Sequence, residues 1–276
     1  MVFKREECGK ALEGASLEMS NLYAYPAVER RGLCNMLFPW ARAVLFARDH
    51  KCQVIAPSWV KVNRLGPILR MEQDKRYYFG QFTNCGYIKG LRKWWLLSTC
   101  TKVPEDAKGV ATRGVVVFNE LRNYFEDLKD GREYIEKELL KITSQNICER
   151  LGMLPRHFIG VHIRMGDFAK IGQCLPADYY LRAIERARKI TGEATDVLVF
   201  SDAKIEALSY LNEISGLRIM PSGPALHDML ALSRAEVLIG TNLSTFSEWA
   251  AFLGGMKCLW CKSGGRPNYF HNAELV

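Results

Sequence analysis

The sequence lacks most of the features that would assign it to a class at once. Nowhere in its 276 residues does an apolar run reach the ~18 residues that a membrane-spanning helix needs. The best candidate, NMLFPWARAVLFA from Asn35, is short and carries Arg42, so a buried helix is expected there. No secretory leader is visible, because Lys4, Arg5, Glu6 and Glu7 precede any apolar stretch. The nine cysteines are an odd number at irregular spacings, which gives no disulfide framework and sets the expectation of a reducing, cytoplasmic setting. The single CxxC, Cys258 to Cys261, has neither a second pair nor a histidine pair nearby, so it reads as structural rather than as a zinc or redox site. No GxGxxG follows a strand, which weakens a dinucleotide oxidoreductase. No GxxxxGK[ST] is present, which weakens a P-loop kinase or sulfotransferase. No DxD occurs, so a metal-clamped nucleotide-sugar site of that kind is not signalled. There is no internal repeat and no low-complexity segment.

Acidic residues are also in deficit. Lys and Arg total 38 against 30 Asp and Glu, a net charge of +8 that favours an anionic partner: nucleic acid, lipid headgroups or a phosphate-bearing ligand. No nucleic-acid recognition motif accompanies the charge, so nucleic acid is not expected. At 48% hydrophobic and 25% charged, the composition is that of an ordinary globular protein.

The second half has the clearer pattern. HFIGVHIR (157–164), DVLVFSD (196–202), LRIM (217–220), EVLIGTN (236–242) and KCLW (257–260) are short Val- and Ile-rich runs suited to strands buried on both faces. Helical stretches separate them: one after Pro176, one over 225–234, one over 244–253. Strand alternating with helix predicts a parallel, doubly wound sheet. In the first half, LYAY (22–25), CQVIAP (52–57) and GVVVF (114–118) read as strands. CNMLFPWARAVLFARDH (34–50) reads as a helix with Pro39 as a kink, and 132–150 as one long amphipathic helix leading to Gly152 and Pro155. Two α/β domains, 1–154 and 155–276, are expected.

Ligands of open α/β sheets bind outside the carboxyl ends of the strands. Those ends carry His162, Arg164 and Asp167, then Ser201 and Asp202, then Thr241 to Thr245 where a helix begins. Arg164 offers a planar fork for phosphate. A Ser/Thr-rich turn at a helix start offers N–H groups and a favourable dipole to an anion. Asp202 is placed for ribose hydroxyls. Each residue also has an ordinary structural use: His162 as a core histidine, Asp167 as a cap for the next turn, Ser244 as an N-cap. Taken together at one edge, they describe a nucleoside diphosphate site.

Four stretches then stand in order: RRGLCNMLFPWARAVLFA (30–47), GVHIRMGDF, VFSDA, and HDMLALSRAEVLIGTNLSTFSEWAAFLGG (227–255). Together they resemble the α1,2-fucosyltransferase family, glycosyltransferase family 11, within the wider α1,2/α1,6/O-fucosyltransferase superfamily. The resemblance implies an α/β, GT-B-like fold, two Rossmann-type domains facing across a cleft, with an acceptor-side domain first and a donor-binding domain second. It implies GDP-fucose as co-substrate, inversion at the anomeric carbon, no metal or other cofactor, and transfer to a glycan acceptor in polysaccharide synthesis, carried on lipid in the cytoplasm. By the same resemblance Arg164 holds the β-phosphate, with His162 beside it towards the nucleoside. Asp228 pairs with guanine, and Ser244, Thr245 and Phe246 wrap the diphosphate. Gly32, Cys34 and Asn35 close over it from the first domain. Asp167 and Glu29 are the carboxylates nearest the motifs and the candidates for the catalytic base. The sequence departs from the family pattern at Met165, Cys34, Met36 and Glu248, where the family carries Arg, Gly, Gln and Trp. A same-fold transferase for another nucleotide sugar, or a non-catalytic binding relic, are the alternative readings. Finally, KGLRKWWLL (89–97) mixes cations with two tryptophans; it is either a peripheral contact with the inner membrane face or a surface helix whose tryptophans fill the core.

Overall fold

A computed structural model of the chain describes residues 21–28, 31–59, 78, 80–107, 113–264 and 273–276. Two parallel sheets organise it. The first contains β1 (Leu22–Pro26), β2 (Gln53–Val54), β3 (Lys102–Pro104) and β4 (Gly114–Phe118) in the order β2-β1-β4-β3. Its helices are α1 (Leu33–Asp49) and α2 (Gly90–Thr99). α3 (Arg132–Ile142) and α4 (Gln145–Gly152) lead to the second half. There β5 (Ile159–Ile163), β6 (Val197–Ser201), β7 (Leu217–Ile219), β8 (Val237–Ile239), β9 (Lys257–Trp260) and β10 (Ala273–Leu275) form a sheet ordered β10-β9-β8-β5-β6-β7. Between them run α5 (Gly166–Lys170), α6 (Ala177–Thr191), α7 (Ala225–Leu232) and α8 (Thr245–Gly254).

The expected apolar runs of the second half are the buried strands. Every residue of β5 is buried, because α6 covers one sheet face while α7 and α8 cover the other. α1 is buried along most of its length although it contains Arg42. That guanidinium meets Glu105 through two hydrogen bonds, at 2.9 and 3.1 Å, and donates to the carbonyls of Glu120 and Leu121. A buried charge so fully partnered is tolerated where a lone one would not be. α8 ends at Gly255, whose φ of 61° is the left-handed C-cap that glycine adopts without a side-chain clash.

α1 runs through Pro39 as a single element. Two expectations for the first half need correction. The amphipathic stretch 132–150 is two helices: Thr143 is extended, bridges Phe82, and is followed by Ser144, whose N–H donates to the Gln81 carbonyl at 2.9 Å. Backbone pairing with the 81–83 segment outweighs the continued helical periodicity. The tryptophans of 89–97 do not fill the core: Trp94 and Trp95 are exposed on α2, and Leu96 is its buried residue.

The core runs across both halves. α1 packs against α8 through Phe38 and Trp249, with ring centroids 5.0 Å apart, and one continuous apolar cluster joins the two sheets.

Candidate nucleotide site

A cavity of about 1030 Å³ lies at the carboxyl ends of β5, β6 and β8, roofed by the start of α1. Three helix amino ends open onto it: α1 through Gly32 to Asn35, α7 through Pro224 and Ala225, α8 through Ser244 and Thr245. Each presents N–H groups and the positive end of its dipole. Arg164 adds a full positive charge at the tip of β5. The arrangement is built for an anion.

Local chemistry explains how the strand tips open. Thr241 follows β8, and its hydroxyl accepts from the Arg164 N–H at 3.1 Å and donates to the His162 carbonyl at 2.8 Å, which fastens β5 to β8 where their ladder stops. Asn242 then imitates a strand pair with its side chain. Its Nδ2 donates to the Cys261 carbonyl and its Oδ1 accepts from the Cys261 N–H, both at 2.9 Å. The next residue, Leu243, has φ 61°, an uncommon left-handed conformation for a bulky side chain. Strain of this kind persists only where the surroundings impose it, and it clusters at functional sites. Here it turns the chain so that Ser244 and Thr245 start α8 on the cavity wall.

His162 is a neutral imidazole. The Ser247 hydroxyl accepts from the Thr241 N–H at 3.0 Å and shares a hydrogen bond of 2.6 Å with His162 Nδ1. Burial first, and the Arg164 charge second, push the His162 pKa down to about 3. The ring stacks on Phe246 at 4.8 Å. Its ordinary use as a buried, bonded histidine and its place on the cavity wall are therefore both real.

Arg164 is held rather than floating. Nη1 pairs with Asp202 Oδ2 at 2.6 Å and Nη2 with Asp167 Oδ2 at 3.5 Å. Asp202 Oδ1 also accepts the N–H groups of Met165, at 2.7 Å, and Gly166, at 3.2 Å. A Cβ at position 166 would run into Asp202 Oδ2, so a larger residue there would displace that carboxylate from Arg164. Asp202 lines the cavity, and its oxygens engage Arg164 and the two backbone N–H groups. Asp167 is exposed and outside the cavity lining. Glu29, the other base candidate, lies outside the described residues.

Gly32, Cys34 and Asn35 all reach the cavity. The Leu33 N–H donates to the Tyr78 hydroxyl at 2.8 Å, and the Leu226 N–H of α7 to Gln81 Oε1 at 3.0 Å, so first-half side chains brace two of the three helix ends. Asn35 Oδ1 is buried without a hydrogen-bond partner among the described residues, an acceptor that costs free energy until a ligand donates to it. Asp228 lines the cavity in the first turn of α7, with Oδ1 2.8 Å from His227 Nδ1 and Oδ2 accepting the Gly223 N–H at 3.4 Å. It is not the N-cap, a position held by Pro224. Tyr78, Gln81 and the Ser222–Gly223 turn escaped sequence reasoning. The Gly223-Pro224 pair ahead of an apolar helix was a usable signal for the turn; nothing local marks Tyr78 or Gln81. Cys258 in β9 and Cys261 just after it are buried and unbridged, in keeping with a structural role. Among the described residues no group of three or more His, Cys, Asp or Glu is placed to hold a metal ion.

Glu248 stands one turn along α8 from Ser244, on the same helix face. Burial raises its pKa to about 7. Its charge acts on Cys34, whose thiol is pushed up chiefly by burial, against the opposing effect of Arg164. Because the folded pKa exceeds the ordinary 4.5, the folded state holds a proton that the unfolded chain has released, and stability falls as pH rises from about 4.5 to about 7. Glu248→Gln removes that cost. The variant should match wild type at pH 4 and exceed it by about 3 kcal/mol at pH 8 in chemical denaturation. A difference that does not change with pH would show that Glu248 ionises normally.

The glycosyl transferase family 11 model matches residues 116–263, more than half of the chain, and the chain belongs to that family. No curated protein matches it by sequence. Among solved structures it is similar to fucosyltransferase NodZ from Bradyrhizobium, at 17% identity and TM-score 0.52, over 84% of this chain and 93% of that one. It is similar also to POFUT1 in complex with GDP, at 14% identity and TM-score 0.54, over 87% and 96%. The fold is the GT-B-like α/β architecture of these proteins.

Proposed function

We propose that the protein is an inverting fucosyltransferase that moves fucose from GDP-fucose to a hydroxyl of a glycan acceptor. The observation that carries this reading is the convergence of Arg164 with three helix amino ends on one cavity, in a chain of glycosyl transferase family 11. A departing nucleoside diphosphate gains negative charge as the glycosidic bond breaks. Preorganised N–H dipoles and a guanidinium at that position stabilise the transition state more than the ground state. Ser244, Thr245 and the Gly32–Asn35 turn bind the diphosphate, Arg164 bears on its β-phosphate with Asp202 aiming it, and Asp228 reads guanine. The structural neighbours support the choice of donor: NodZ bears the name of a fucosyltransferase, and POFUT1 is solved in complex with GDP. The α1,2 linkage, a lipid-carried acceptor, two domains meeting near residue 154 and action at the inner face of a membrane complete the proposal.

Nucleotide-dependent thermal shift tests it. A guanine nucleotide at 100 times its Kd stabilises the fold by about 2.7 kcal/mol, which is a rise of several degrees. GDP should give that rise, and ADP, UDP and CMP should not. Asp228→Ala should abolish the preference for GDP over ADP, because a carboxylate accepts two hydrogen bonds from guanine and none from the matching edge of adenine. Equal shifts with all the nucleotides, or unchanged GDP affinity in the variant, would overturn the assignment. Release of GDP from GDP-fucose then separates an enzyme from a binding relic.

A further inference from the structure

α2 carries an apolar face that points away from the protein. Leu91, Trp94 and Trp95 are 88%, 73% and 61% exposed, and their i, i+3, i+4 spacing puts them on one stripe. The opposite side is the one that packs. Leu96 is buried, and Lys93 turns inward, donating to the Ser58 hydroxyl at 3.1 Å with its ammonium 5.6 Å from the Tyr25 ring centre. Desolvation there lowers the Lys93 pKa. The helix is fixed by this inner side, so its outer stripe is presented rigidly. The same helix carries two exposed cations, Lys89 at its N-cap and Arg92, whose Nη2 donates to Gln53 Oε1 at 3.1 Å, and α2 contains no acidic residue.

We propose that this stripe docks the protein reversibly on an anionic lipid surface. Indole rings favour the boundary between headgroups and hydrocarbon, and adjacent cations are drawn to acidic headgroups. The charge of the whole chain, +8, has the same sign. A hydrophobic partner alone would leave Lys89 and Arg92 without a counterpart, and an acidic soluble partner would leave the indoles without one. An anionic bilayer answers both. Among the described residues no helix is long and apolar enough to cross a membrane, so the contact is a peripheral one.

The topology gives the contact a use. Ile88 bridges Ile55 in parallel, so the chain enters α2 from the carboxyl edge of the first sheet. β1 leaves the same edge to form the Gly32 turn of the cavity. A surface-docked α2 therefore keeps the cleft beside the bilayer, where an acceptor carried on lipid is presented. This consequence rests on the transferase reading. The docking itself does not, and it is read without any sugar nucleotide.

Intrinsic fluorescence suits the test. Of six tryptophans, Trp40, Trp59, Trp249 and Trp260 are buried, so a change on adding vesicles reports Trp94 and Trp95. The full chain should sediment with vesicles of three parts phosphatidylcholine to one part phosphatidylglycerol at low salt, with a blue shift. It should do neither with pure phosphatidylcholine. Trp94→Ser with Trp95→Ser should lower binding about tenfold or more, as should Lys89→Ala with Arg92→Ala. Both pairs are exposed, so the melting temperature should hold, and Met153→Ser, at an exposed apolar position on α4's end, should bind like wild type. Failure of wild type to bind anionic vesicles overturns the proposal. So does unchanged binding by the double tryptophan variant. Self-association of wild type that the tryptophan variant loses, without vesicle binding, would make the stripe a contact between copies of this chain.

Discussion

Arg164→Ala should lower fucose transfer by about a hundred- to a thousandfold while the protein remains folded. The magnitude follows from removing one preorganised charged donor from a developing anion, about 3–4 kcal/mol of transition-state stabilisation. The fold should survive because Arg164 sits at a strand tip, outside the core clusters. Asp202 keeps its two backbone donors, Met165 and Gly166, when the guanidinium goes. Arg164→Lys separates charge from shape. Lysine keeps the positive charge but loses the planar fork that serves Asp202 and a phosphate together, so it should recover only part of the rate. If the effect is on the chemical step, kcat falls more than KM rises for the donor. Turnover in the alanine variant within about fivefold of wild type would remove Arg164 from the mechanism.

The sheet edge bearing Arg164 was legible from residues alone, and the reason is physical. β5, β6 and β8 are covered on both faces, so their apolar runs stand out and end sharply where polar residues begin. Those ends are His162, Asp202 and Thr241, and all three meet in one bonded network. The first half resisted for equally physical reasons. β2 is two residues long, too short to show any period. The break at Thr143 is made by hydrogen bonds to residues 81–83, some sixty positions earlier, and no local pattern encodes it. α2 misled in the other direction. Tryptophan is ordinarily buried, and its exposure here became visible only once Lys93 and Leu96 were seen to hold the helix by its opposite side. Asp202 shows a subtler limit. Its position in the cavity could be anticipated, but its engagement with Arg164 depends on Gly166 allowing a close approach.

Trp249→Ala should be strongly destabilising and should also weaken the nucleotide site without touching it. The indole is fully buried and meets Phe38 of α1 at 5.0 Å, Phe125 at 5.1 Å and Phe252 at 5.5 Å between ring centres. It is thus a point at which the first half is joined to α8. Truncation leaves a cavity the size of an indole and should cost about 3–5 kcal/mol, a fall in melting temperature of about 10 °C for a chain of this length. α1 and α8 both end on the cavity, so loosening their contact should spread the two helix starts that face the diphosphate and reduce GDP affinity. Trp249→Phe gives the contrast. Nε1 of Trp249 is buried without a hydrogen-bond partner among the described residues, so phenylalanine loses ring area but also removes an orphaned donor that costs about 1–3 kcal/mol. The two effects oppose, and the melting temperature should move by only a few degrees with GDP affinity intact. Calorimetric melting and GDP titration on both variants decide the matter. An alanine variant that melts within about 2 °C of wild type would mean that the halves are held together elsewhere. One that melts early yet binds GDP normally would mean that α8 is fixed on the cavity wall by Thr241 and Asn242 alone.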